Sequence, residues 1–391
     1  MSQQSLTGTG RLRLAVPMTA RDPHDEHRAA TPLELFFDLV FVVAIARAAE
    51  RLHHGLAEGA VAASVVSYAL VFFAIWWAWM NFTWFASAYD TDDVTYRIFV
   101  FVTMTGALIL AAGIPRAFDE RDFGMATLGY VVMRVALVTQ WLRVARADTP
   151  RRRTAYRFAL GVTLCQIGWV TAALVLAPDR WLVPFVILGP AELLVPVWAE
   201  RASPTTWHPD HISERYGLFT IIVIGESVLA ASLAIQSVTN GGGVTSELIA
   251  IIVGGLLIVF SMWWLYFDHP GVHLISSNRT AYVWGYGHLP IFASVAAVGA
   301  VLAVAVDGTT GHGELDRTAT GLAVAVPVAV YLLMMWVLHS RRGDAPVRRW
   351  SVPVAVVLVL GAALSPLPVL FVGLVLVALL MVKVGARLRG A

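Results

Sequence analysis

Charge is what this 391-residue sequence has least of. Asp, Glu, Lys and Arg make up 14% of it, against about 25% in a soluble domain whose surface faces water. An extensive water-exposed surface is therefore excluded. Cysteine is nearly absent: Cys165 stands alone inside an apolar run, so no intramolecular disulfide forms and the thiol reads as a small buried hydrophobe. Lysine is as rare, with Lys383 beside 27 arginines, and no basic tail or nucleic-acid motif is present. Residues 1–30 mix Arg11, Arg13, Arg21, Arg28, His24 and His27 with acidic residues and have no apolar core, which speaks against a cleaved secretory signal. A nucleophile elbow, a His-Glu-x-x-His pair and a phosphate-cradling glycine loop are missing. Nothing in the sequence asks for a cofactor.

Long hydrophobic runs are what the sequence has in plenty. Apolar residues make up 58% of the chain and the mean hydropathy is +0.70. Runs near or above the roughly 18–20 residues that cross a bilayer recur from Thr31 to Lys383. In hydrocarbon every backbone polar group needs an internal partner, and the period-two alternation of a barrel strand is missing, so the runs read as helices. The expected fold is all-α, a polytopic transmembrane helical bundle of about 12 spans, within a range of about 10–12. The spans are 31–54, 57–88, 95–115, 123–145, 155–177 and 181–199, then 213–238, 245–268, 279–306, 317–340, 350–364 and 366–386. The last two are open to a second reading, a re-entrant element plus one span, because Ser365, Pro366 and Pro368 interrupt the run. This divides the chain into a polar N-terminal tail (1–30), two halves of six helices (31–199 and 200–386) and a short tail (387–391).

Arginine placement orients the bundle. With twelve spans and an internal N-terminus, 21 of the 28 basic residues fall in segments on one side, which the positive-inside rule makes cytoplasmic together with both termini. An internal repeat is also indicated. Trp76-Trp77 in the second span and Trp263-Trp264 in the eighth lie 187 residues apart, and spans one and seven open with Glu34 and Glu214. Six spans per half give two parallel repeats, an arrangement found in some transporters; the plainer alternative is tryptophan gathering at bilayer interfaces.

Charges inside the spans carry the functional argument, because each costs at least roughly 2.5–3.5 kcal/mol at the bilayer centre. Arg134 lies at the middle of span four and Glu226 at the middle of span seven, and the two are expected to form a buried pair that either fixes helix packing or faces a cavity. Asp38 and Arg47 in span one, Glu192 in span six and His288 in span nine lie at comparable depth. Glu34 and Asp38, four residues apart, share a helix face and repel one another when both are ionised. Arg215 shares a face with Glu226 but lies too far along the axis to touch it. Pro184, Pro190 and Pro196 kink span six or unwind it into an ion site beside Glu192, and Gly161, Gly168, Gly189 and Gly225 allow close helix contact. His208, His211, His269 and His273 are weak candidates for a metal site; their spacing fits no zinc signature and solvated loop histidines are the better reading.

Two segments resemble a known family. Thr31-Pro32-Leu33-Glu34-Leu35-Phe36-Phe37-Asp38-Leu39-Val40-Phe41 is similar to the opening span of the bacterial low temperature requirement A (LtrA) family, and His211-Ile212-Ser213-Glu214-Arg215-Tyr216-Gly217-Leu218-Phe219-Thr220-Ile221-Ile222-Val223-Ile224-Gly225-Glu226 to its second hallmark. The resemblance covers nearly everything from residue 30 to the last span. It implies a multi-pass protein of the bacterial plasma (inner) membrane and places Glu34, Asp38, Glu214, Arg215 and Glu226 in the family pattern, without giving any of them a role.

The reading that joins these features is a proton- or ion-coupled secondary transporter of a small solute. Its coupling and binding groups come from Glu34, Asp38, Arg47, Arg134, Glu192, Glu214, Arg215, Glu226 and His288. The lipid bilayer, a proton or small ion and a small-molecule cargo are its partners, nucleic acid is not, and the oligomeric state is open, a homodimer being compatible. The alternatives are a membrane-embedded enzyme with an Asp/Glu/His site, which predicts His288 and a carboxylate within about 3 Å of each other or of a shared metal or water, a channel with a continuous polar path or a symmetric pore, and a sensor or scaffold linked to cold tolerance, without a cavity.

Overall fold

The structure, a computed structural model, describes residues 13–22, 28–177, 180–241, 244–268, 275, 277–311, 313–339 and 346–390. Among these residues the long elements are twelve helices: α1 (Pro32–Ala57), α2 (Val61–Tyr89), α3 (Val94–Asp119), α4 (Gly124–Ala147), α5 (Arg152–Val175), α6 (Leu182–Glu200), α7 (Pro209–Gly241), α8 (Ser246–Phe267), α9 (Asn278–Gly308), α10 (Arg317–His339), α11 (Pro346–Ala362) and α12 (Pro368–Gly390). A helix covers every expected span, and the chain breaks between α11 and α12 where Ser365 and Pro366 interrupt the run. Ten of the helices are long and apolar enough to cross a membrane. The exceptions are α11, with only 17 residues, and α1, whose 26 residues reach about 39 Å but carry Glu34, Asp38, Arg47, Glu50 and Arg51.

Local chemistry starts several helices. Thr31 and Glu34 form a capping box with Pro32 in the first turn of α1. Asp93 caps α3 through the Tyr96 amide, and Thr245 and Ser277 cap α8 and α9. α7 begins at Pro209, four residues earlier than the apolar pattern suggests, and this extra turn brings His211 into the bundle.

Contacts at the helix ends define the two faces. Ala30 N–H donates to Glu214 (3.0 Å), His208 N–H to Ser87 Oγ (3.0 Å) and Asn278 Nδ2 to Glu200 (3.3 Å). The starts of α1, α7 and α9 therefore share a face with the ends of α2 and α6. Arg387 pairs with Asp268 at the end of α8, which places the C-terminus on that same face. At the opposite face His53 meets Asp307 (2.6 Å), Arg51 meets Asp119 (3.0 Å), and Glu314 N–H donates to the Ala57 carbonyl (3.0 Å).

In the first half α1 packs on α3, α3 on α4, α4 on α5 and α5 on α6; in the second, α7 packs on α9, α9 on α10, α10 on α11 and α11 on α12. These two successions run in the same order, but α8 packs closely on α12 whereas α2 makes no comparable contact with α6. α9 forms the axis of the molecule, packed by α1, α7 and α10, and its Ala-, Val- and Gly-rich length is buried almost throughout. The two tryptophan pairs differ in environment: Trp76 and Trp77 are buried, whereas Trp263 and Trp264 are exposed on α8.

Candidate functional site

Two sets of buried charge lie in the bundle. The first joins α1 to α7 near the face that carries the termini. Arg215 donates through Nη2 to Asp38 Oδ1 (2.6 Å) and through Nε to Oδ2 (3.2 Å), and its Nη1 lies 3.1 Å from Glu34 Oε1. Trp79 Nε1 donates to Asp38 Oδ1 (2.7 Å). His211 Nε2 stands 3.1 Å from Glu34 Oε1, and the Thr31 amide donates to Oε2 (2.8 Å). One arginine thus lies between two carboxylates that share a helix face, which resolves the repulsion their spacing predicts.

Arg28, from the segment before α1, closes this cluster from the terminal face. Its guanidinium donates to the carbonyls of Ala86 and Ser87 at the end of α2 and lies 3.8 Å from Glu34. Asp90, the C-cap of α2, is buried close by; burial and the charge of Glu34 push its carboxyl up to about 6. Glu34 Oε1, His211 Nδ1, Arg215 Nη1, Thr83 Oγ1 and Tyr96 OH are buried without a hydrogen bond. Glu34 Oε1 and Arg215 Nη1 nonetheless face each other as an ion pair at 3.1 Å, which leaves His211 Nδ1, Thr83 Oγ1 and Tyr96 OH as the buried atoms without a hydrogen bond where partners are usual.

The second set lies at mid-depth, between α2, α4 and α6. Arg134 Nη2 donates to Glu192 Oε2 (3.2 Å) and Trp77 Nε1 donates to the same oxygen (2.8 Å); both charged side chains are nearly fully buried. The Arg134 guanidinium lies 5.0 Å from the centre of the Tyr130 ring. α6 packs mainly on α5, and side chains join it to α2 and α4: Glu192 to Trp77 and Arg134, and Phe185 to Phe73. A small cavity of about 40 Å³ lies on one side of the Glu192 bridge, lined by Glu192 and Trp77 and reaching Phe123 and Trp181 at the starts of α4 and α6. A second, of about 20 Å³, lies on the other side, lined by Arg134 and running to Gln140 and Phe85. A third, of about 40 Å³, is also lined by Trp77 and reaches Glu200, Thr205, Trp207 and Asn278 toward the terminal face.

The expected Arg134–Glu226 pair does not form. Arg134 is held by Glu192 of α6, whereas α7 packs against α1 and α9. Glu226 sits half-buried on the side of α7, with no hydrogen bond or ion pair among the described residues, and lines none of the three cavities. Nor does Gly225 bring a helix close, since a methyl group there would meet nothing within 4 Å; Gly161 and Gly168 do face Val195 and Leu188 of α6. Arg47 is exposed and pairs along the helix surface with Glu50 (2.8 Å), so it belongs to neither set. Glu214 is exposed and holds the Ala30 amide. α6 is continuous through Pro190 and Pro196, so no unwound ion site is present beside Glu192.

The histidines also depart from expectation. His208 and His211 are buried, not solvated, because α7 starts early and carries them under the end of α2. His269 and His273 lie outside the described residues. His288 Nδ1 meets the Trp284 carbonyl (2.7 Å) and Nε2 the Tyr266 hydroxyl (3.1 Å), the bonding of a neutral ring donating from Nδ1 and accepting at Nε2. Its nitrogens engage no carboxylate. Arg28, Trp77, Trp79 and Asp90 are site residues that sequence reasoning misses. Trp77 and Trp79 were visible as a tryptophan-rich run, but nothing in the run told which indole N–H finds an acid.

These features define a multi-pass helical membrane protein whose buried ion pairs tie its helices together. Residues 29–385 match the family described as Bacterial low temperature requirement A protein (LtrA), and the chain belongs to that family. It is also similar to an uncharacterized protein of Rhizobium meliloti (strain 1021), with 30% identity over 288 residues, 69% of this chain and 68% of that protein. Both hallmark segments meet in space: Glu34 and Asp38 of the first are bound to His211 and Arg215 of the second.

Proposed function

We propose that the protein is a proton- or ion-coupled secondary transporter of a small solute in the bacterial plasma membrane, with the terminal face cytoplasmic. The observation that carries this reading is the Arg134–Glu192–Trp77 bridge, which stands at mid-depth with one cavity reaching toward the outer face and two toward the inner. Alternating access needs such a barrier between two approaches. A charged bridge suits the task because it can be broken by protonating the carboxylate or by a solute that competes for it. The Glu34–Asp38–Arg215–His211 cluster supplies the coupling site: two carboxylates and an imidazole occur together near the face from which a cytoplasmic proton would enter. The shared succession of neighbours along α1, α3, α4, α5 and α6 and along α7, α9, α10, α11 and α12 is compatible with two parallel six-helix units, and the α8–α12 contact, without a counterpart between α2 and α6, is where the halves differ. The enzyme alternative asked for His288 beside a carboxylate and finds no support in its bonding.

The test is solute-driven proton movement in proteoliposomes that contain a pH-sensitive dye, screened over small organic solutes. Wild-type protein is expected to acidify or alkalinise the lumen with at least one solute. Glu192→Gln is expected to reduce the rate at least tenfold while eluting as folded protein in detergent. Equal rates in the variant and the wild type contradict the assignment of Glu192.

A further inference from the structure

We infer that the protein binds a small zwitterion, an ammonium and an anion joined in one molecule, in a fourth cavity at the face opposite the termini. The site lies apart from the Arg134–Glu192–Trp77 bridge, and the inference does not rest on the transport reading. Its walls come from the starts of α8, α10 and α12, the end of α9 and the residues just before α10 and α12. α8 packs closely on α12 and α9 on α10, whereas α8 meets α9, and α10 meets α12, only lightly. At this end the two helix pairs leave a space of about 240 Å³ between them, several times larger than any cavity beside the bridge. A single water needs roughly 10–15 Å³, so the space admits an organic group of several non-hydrogen atoms.

Two charges of opposite sign line that space and do not meet. Glu247 stands in the first turn of α8 and Arg317 at the first residue of α10. Both line the cavity, both are exposed, and neither has a hydrogen bond or ion pair among the described residues. Other charges on this face do find partners, Arg51 in Asp119, His53 in Asp307 and Arg116 in Asp122. Here the cavity stands between the two. A simple anion drawn by Arg317 meets the charge of Glu247, and a simple cation drawn by Glu247 meets that of Arg317, so one wall opposes either. A molecule that carries both charges satisfies both walls with charge-assisted hydrogen bonds. The Thr320 hydroxyl, also without a hydrogen bond among the described residues, adds a donor and acceptor in the same lining, and Ile251, Leu315 and Leu370 give carbon a surface to rest on. Two sources offer this chemistry. The cavity lies where three membrane-crossing helices begin, the level of lipid headgroups in a bilayer those helices span, so an ethanolamine phospholipid presents its phosphate and ammonium there. A free zwitterion presents the same groups from water.

The experiment uses full-length protein, delipidated in detergent. O-Phosphoethanolamine is titrated by calorimetry and phosphatidylethanolamine by native mass spectrometry. Ethanolamine, inorganic phosphate and phosphatidylglycerol serve as probes that carry charge of one sign only. At least one zwitterionic probe is expected to bind saturably, and at least tenfold more tightly than its counterparts of one sign. Saturation by the free compound identifies a soluble ligand; saturation by the lipid alone identifies a headgroup. Glu247→Gln and Arg317→Gln are each expected to weaken binding at least tenfold. Both remove exposed groups without partners, so both variants are expected to elute as folded protein. Ala250→Phe, at another position of the lining, fills the space, keeps both charges and is expected to weaken binding at least tenfold as well. The inference is overturned if neither zwitterion saturates, if probes of one sign bind within tenfold of the zwitterion, or if any of the three variants binds within tenfold of wild type.

Discussion

Arg215 is fully buried, and its two carboxylate partners come from another helix. Removing one member of such a set leaves the rest charged and unpaired, at a cost of about 3–5 kcal/mol. Arg215→Met is therefore expected to lower unfolding stability in detergent by that order, measured by denaturant or heat. Arg47→Met, at an exposed pair, is expected to change it by no more than about 1 kcal/mol. Comparable losses in both contradict the description of the cluster. Asp90 gives a pH-dependent prediction. Its folded pKa, about 6, lies above its ordinary value, so the folded state holds the proton more tightly than the unfolded chain. The stability linked to this group is present below about pH 4 and is lost as pH rises to about 6. Asp90→Asn removes that loss, and the variant is expected to gain up to roughly 3 kcal/mol over wild type between pH 4 and pH 7. A constant difference across that range rejects the assignment. Which residues are costly to bury was legible in the sequence, since Asp38, Arg134, Glu192 and Arg215 stand out in apolar runs. Their pairing was not, because partners such as Glu34 and Arg215 lie 181 positions apart and depend on which helices adjoin.

Helices were the most readable level. Apolar length, Pro32 and Thr31 at the start of α1, and the break near Pro366 are local signals, and local signals survive folding. The exceptions have local causes too. α7 is longer than its apolar stretch because its first turn is polar, and α6 keeps its form through two prolines because other contacts hold it. Burial was less readable than helicity, since one tryptophan pair faces the core and the other the surface in similar surroundings of sequence. α3 and α4 meet by backbone approach: a methyl group on Gly129 would lie 2.5 Å from the Gly106 carbonyl oxygen and 2.6 Å from the Leu110 nitrogen. No L side chain fits there without separating the helices. Gly129→Val is expected to lower the thermal midpoint and the yield of folded protein, whereas Gly225→Ala, with open space around it, is expected to leave both unchanged. A tolerated Gly129→Val contradicts the close contact.

At the scale of the whole molecule, the bundle places a charged bridge where hydrophobic packing would be cheaper. Space lies on both sides of it, and a second charged cluster joins α1 to α7. The claim that the bridge divides the spaces beside it is tested most directly by two-sided cysteine labelling. In a Cys165→Ser background, Ala74→Cys reports the outer cavity and Leu137→Cys the second one. A membrane-impermeant thiol reagent is applied to sealed vesicles of each orientation. Ala74→Cys is predicted to react from the outer face and Leu137→Cys from the inner, and adding Glu192→Gln is predicted to let the reagent reach each from both faces. Absence of labelling at both positions from either face, with or without Glu192→Gln, contradicts the account, since the charges then sit in dry packing and open onto nothing.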